Sequence, residues 1–147
     1  MLKPIKEKTH RLHEEGFNCA ESVVMTAANE WKMRSKIIPR IATGFGGGIG
    51  RQGYVCGALS GGVIALGLKC GRGKAENIQA RDKTYTLARE LFKRFKEEFR
   101  SINCYELIEC NLTTPEGLEK SKKIQSEKCA KYIARTAELV LEMTNTS

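Results

Sequence analysis

At 147 residues the chain is sized for one domain, 1–147, with a core that needs no disulfides. Its 29% charged residues and three prolines fit a soluble, helix-rich protein. The longest uncharged run, the fifteen residues from Tyr54 to Leu68, is shorter than the roughly 20 needed to span a bilayer, so no membrane association is expected.

The N-terminus, MLKPIKEKTHRLHEEG, is charged and has no apolar run, so no secretory signal is expected and the reading is cytoplasmic. Pro4 to about Glu15 reads as a first helix, ended by Gly16. Asn18 can cap a second, on which Cys19, Val23, Ala27 and Trp31 recur at helical spacing. Lys36 to Ala42 reads as another short helix with Pro39 in its first turn. Then comes a glycine loop, with six glycines between Gly44 and Gly53, followed by a helix apolar on every side and therefore buried. Ile78, Tyr85, Ala88, Phe92, Phe95, Phe99 and Ile102 form one stripe on a long helix from about Ala75 to Ser101. Asn103 opens a turn carrying Cys104 and Cys110. Thr114 and Pro115 start the last helical region, where Cys129, Ile133, Ala137 and Val140 face inward. Nothing alternates with period two. The expected fold is all-α, a helical bundle whose glycine-rich loop leads into a buried central helix.

Several motifs lack the context their chemistry needs. Gly48, Gly50 and Gly53 spell GxGxxG, but no strand precedes them as a dinucleotide site requires. Gly71, Gly73 and Lys74 lack the leading glycine and closing Ser/Thr of a phosphate loop. Glu7 and His10 form one Glu-x-x-His, without the second copy a di-iron bundle uses, and both histidines read as solvated. The net charge of +8 raises the question of nucleic acid. On the long helix, however, basic residues alternate with Asp82, Glu90, Glu97 and Glu98, as on a solvated face, so nucleic acid is not expected as a partner. Gly57 and Gly61 would let another helix approach closely, from the same chain or from a second copy in a homo-oligomer.

The six cysteines stand at 19, 56, 70, 104, 110 and 129, with no Cys-x-x-Cys. Cys56 falls where loop meets helix, and a thiol at a helix start is drawn toward thiolate. The reading is that Cys56 is the most reactive thiol and Cys70 among the least. Arg51 would add positive charge if the loop folds back.

FNCAES around Cys19, GFGGGIGR, CGALSG from Cys56, LFKRFKEEF, INCYEL and NLTTPEG together resemble the family of redox-active proteins named for their C_GCAxxG_C_C motif. Val55 stands where that name has a glycine before the cysteine. The resemblance implies a small helical redox protein whose motif thiols are Cys19, Cys56, Cys104 and Cys129, with Cys110 as a companion and Cys70 outside the pattern. Two chemistries suit these thiols. They could cycle between dithiol and disulfide, exchanging electrons with a redox partner. Or Cys19, Cys56, Cys104 and Cys129, with Cys110 as a substitute, could ligate an iron–sulfur cluster. In either case Gly46, Gly47, Gly48, Gly50 and Arg51 are the candidate binding residues of the loop. A third reading is a structural or binding module with inert buried cysteines.

Overall fold

The computed structural model describes residues 2–145. Its helices are α1 (Leu2–Glu14), α2 (Cys19–Glu30), α3 (Gly57–Cys70), α4 (Ile78–Phe99), α5 (Cys104–Ile108), α6 (Pro115–Ile124) and α7 (Ala130–Asn145). A 3₁₀ turn spans Arg40–Phe45, and a π-helical segment, Gln125–Cys129, joins α6 to α7. Among the described residues there is no strand, only one antiparallel bridge between Val55 and Asn103. The fold is all-α. No described helix is long and apolar enough to cross a membrane.

The bundle is organised around α3, which packs against α2, α4 and α7. Its glycines allow that. A Cβ on Gly61 would lie 2.7 Å from the Ala20 carbonyl oxygen, and one on Gly62 would lie 2.7 Å from Thr136 Cγ2. The partner of the Gly57–Gly61 face is therefore α2 of the same chain. Leu59 and Leu66 of α3 are buried with Val23, Leu91, Phe95, Ile133 and Val140. Phe95, Phe99 and Tyr132 extend this core edge to face, with ring centroids 4.9 and 4.8 Å apart for the Phe95–Phe99 and Phe99–Tyr132 pairs.

Two local expectations are corrected. Residues 36–39 form no helix, because the Ser35 hydroxyl and carbonyl capture the Ile37 and Ile38 N–H groups in a turn. Pro39 then caps the 3₁₀ turn instead of standing inside a helix. On α4 the apolar stripe is buried only toward its C-terminal half. Ile78 and Tyr85 are exposed, and Tyr85 lies 5.8 Å beneath the Arg81 guanidinium. The remaining inward stripe, Cys129, Ile133, Ala137 and Val140, is buried along its length.

Candidate functional site

Cys19 is the first residue of α2, and its position is fixed by a capping box. Asn18 Oδ1 accepts the Glu21 N–H at 2.8 Å while Glu21 Oε1 accepts the Asn18 N–H at 3.0 Å. The same two side chains reach the 3₁₀ turn. Asn18 Nδ2 donates to the Thr43 carbonyl at 3.0 Å, and the Thr43 hydroxyl donates to Glu21 Oε2 at 2.6 Å. This wall stands so close to the loop that a Cβ on Gly46 would lie 2.5 Å from Asn18 Nδ2.

The loop is a left-handed turn. Gly47, Gly48, Ile49, Gly50 and Arg51 have consecutive φ values of 65, 69, 68, 55 and 66°. L-residues avoid this region at roughly 1–2 kcal/mol each, so glycine at three of the five positions makes the turn affordable. Its carbonyls are used: the Gly53 and Tyr54 N–H groups donate to Gly47 and Gly48 at 3.1 and 2.9 Å.

The chain leaving the turn meets the segment after α4. The Cys56 N–H donates to the Ile102 carbonyl at 2.7 Å, and the Cys104 N–H donates to the Tyr54 carbonyl at 2.6 Å. This short antiparallel pairing sets Cys56 and Cys104 side by side. Gly48 lets Cys104 in, since a Cβ there would lie 2.8 Å from Cys104 Cβ.

Cys19, Cys56, Cys104 and Cys129 line one cavity of about 520 Å³. Gly46, Gly47, Gly50 and Arg51 line it too, whereas Gly48 lies behind Cys104. Cys110 does not reach the cavity, but it is buried with Cys104 and Cys129 among Ile108 and Leu112. Cys70, at the far end of α3, is remote from this group. Among the described residues, no three Cys, His, Asp or Glu side chains are grouped so that they could hold a metal ion.

Electrostatics rank the thiols differently from their positions along the helices. Cys56 faces the N–H groups of Ala58 and Leu59, which favour thiolate, but burial outweighs them and pushes its pKa up to about 12. Burial therefore works against the reactivity expected of Cys56 from its place at a helix start. Burial and the neighbouring Cys129 and Cys110 push Cys104 up to about 11. Cys19 and Cys129 titrate as a pair. Hydrogen bonding from the Cys19 thiol favours the Cys129 thiolate, and the same interaction, then burial, holds the second proton on Cys19.

Three further side chains line the cavity. Tyr132, one turn after Cys129, donates its hydroxyl to the Leu107 carbonyl at 3.3 Å. Gln125 comes from the π segment, a feature often found at functional sites. His13, read from sequence as solvated, is half-buried, and burial, then His10, lowers its pKa. Only Tyr132 carried a sequence signal, as the residue three after an inward cysteine.

With this constellation in view, residues 17–143 match the family model described as "Putative redox-active protein (C_GCAxxG_C_C)". The chain belongs to the C_GCAxxG_C_C family. Within that redox family, its four motif positions Cys19, Cys56, Cys104 and Cys129 come from four separate segments and meet at one cavity. The chain is also 28% identical over 143 residues to an Archaeoglobus fulgidus protein described only as uncharacterized, covering 92% of this chain and 90% of that one. No solved structure matches the chain.

Proposed function

We propose that this chain is a thiol–disulfide redox protein in which Cys129 and Cys19 cycle between dithiol and disulfide at the cavity wall. The observation that carries the reading is that Cys19 and Cys129 both line one cavity of about 520 Å³, with Cys56 and Cys104 beside them. Exchange requires a thiolate that attacks and a second thiol that resolves. Cys129, drawn toward thiolate by Cys19, is the sulfur proposed to attack, and Cys19, which lines the same cavity, is the one proposed to resolve. Cys56 and Cys104 stay protonated at neutral pH and flank the pair. The test is peptide mapping of the protein before and after stoichiometric oxidation by diamide. A Cys19–Cys129 disulfide as the main product is expected; oxidation that leaves both alkylatable while other cysteines pair would refute the assignment.

A second reading is an iron–sulfur cluster, whose donor set is four thiolates: the four thiols line one cavity, although among the described residues no three of them are grouped closely enough to hold a single metal ion. The chain would supply Cys19, Cys56, Cys104 and Cys129 to such a group. Iron and sulfide content and visible absorption of protein purified without oxygen decide it. Stoichiometric iron and sulfide would favour this reading, and a colourless, iron-free but folded protein would end it.

A further inference from the structure

The wall of the cavity also carries a cation, the exposed Arg51, held in an unusual way. Arg51 lies in the left-handed turn at φ 66°, a conformation that a non-glycine residue adopts only when its surroundings enforce it. Gly47 is cut away beneath it: a Cβ there would lie 2.7 Å from both Arg51 Cα and Cγ. The guanidinium makes no ion pair among the described residues. No carboxylate lines the cavity, and Glu21, beside the lining residues Asn18 and Thr43, is already engaged by them. The hydrogen-bonding groups of Asn18 are likewise spent on Glu21 and Thr43, and burial holds His13, the other basic lining group, toward its neutral form, so Arg51 is the lining group with a standing positive charge. A volume of about 520 Å³ falls within the range of small-molecule sites, roughly 300–1,000 Å³.

From this geometry we infer that the cavity takes a small disulfide bearing a carboxylate, anchored by Arg51 while its sulfurs face Cys129 and Cys19. The inference rests on the thiol-pair reading. In the reaction, the Cys129 thiolate attacks one sulfur of the bound disulfide, the substrate S–S bond breaks, and one thiolate leaves. The Cys19 proton passes to that thiolate. Cys19 sulfur then attacks Cys129 sulfur, the mixed disulfide breaks, and the second substrate thiolate leaves. The protein dithiol is oxidised by two electrons, and the substrate disulfide gains the same two.

The test uses full-length reduced protein in single-turnover reactions with three disulfides of similar size. These are anionic 3,3′-dithiodipropionate, neutral 2-hydroxyethyl disulfide and cationic cystamine, with Cys19–Cys129 closure followed by peptide mapping. The anionic compound should react fastest and the cationic one slowest. In Arg51→Gln the ratio of anionic to neutral rates should fall by about 5-fold, the effect of one unit charge at contact distance in water. Arg51→Lys should keep most of the ratio. Lys93→Gln, which removes an exposed charge on α4, should leave the ratio unchanged and so excludes an effect of net charge alone. If the neutral compound closes the bond as fast as the anionic one, or the preference survives in Arg51→Gln, the anionic substrate class is wrong and the thiol pair stands. If none of the three closes the Cys19–Cys129 bond, the thiol pair falls, and the substrate inference with it.

Discussion

Raising the pH in the presence of iodoacetamide should label Cys129 long before Cys56. Alkylation needs thiolate, and the two residues are equally buried, at 5% and 4% exposure, so access does not separate them. What separates them is the proton. Cys56 is pushed from the ordinary 9.0 to about 12, which cuts its thiolate roughly a thousandfold at any pH below 9, to about one molecule in ten thousand at pH 8. Cys129 moves the other way, because the Cys19 thiol donates to its sulfur. The assay is a pH series from 5 to 10 on reduced, metal-free protein, quenched at fixed times and read by peptide mass, with denatured protein as the equal-access reference. Cys129 should label first and Cys56 should stay unlabelled until the alkaline end. Labelling of Cys56 at or below the pH of Cys129 would mean that the N–H groups of Ala58 and Leu59 outweigh burial, and the roles assigned to the two thiols would be wrong.

The same raised value makes stability fall in alkali. The unfolded Cys56 thiol loses its proton above pH 9 while the folded one keeps it, so the contribution is intact below pH 9 and lost as pH rises toward 12. About 1.4 kcal/mol should be gone by pH 10, and Cys56→Ala should flatten that slope in urea unfolding. Gly61→Ala should destabilise by about 1–3 kcal/mol, because the new methyl meets the Ala20 backbone, which cannot turn aside. Gly67→Ala, with nothing within 4 Å, should stabilise the same helix by about 0.5–1 kcal/mol, and chemical denaturation of the two variants side by side checks both signs. Asn18→Ala removes the α2 cap and should lower stability by about 1 kcal/mol while increasing hydrogen exchange in residues 43–46.

The helices were largely readable from the chain because their signals are local. Asn18 capping α2, Thr114 before Pro115, and the inward stripe from Cys129 to Val140 each depend on neighbours within a few turns. The family resemblance named the four thiols that line one cavity, but not their geometry. A glycine-rich loop announces what the backbone is permitted to do, not that five successive residues will turn left-handed and bring Arg51 over a cavity. One antiparallel bridge, Val55 with Asn103, is too short to leave an alternating pattern, so the device that joins Cys56 to Cys104 was invisible. The burial that opposes a Cys56 thiolate was hidden for a related reason. Sequence gives its place at a helix start, whereas the dominant effect is desolvation by residues far along the chain. His13 and Gln125 reach the cavity only through packing and left no spacing to find.

The thiol pair is tested most directly by trapping its mixed disulfide. Reduced Cys19→Ser protein treated with 5,5′-dithiobis(2-nitrobenzoate) should retain one thionitrobenzoate on Cys129, because the thiol that would expel it is gone. In the wild-type protein Cys19 should displace that group and leave a Cys19–Cys129 disulfide with no adduct at position 129. A stable adduct on wild-type Cys129, or its expulsion by another cysteine in Cys19→Ser, would contradict the pairing of Cys129 with Cys19.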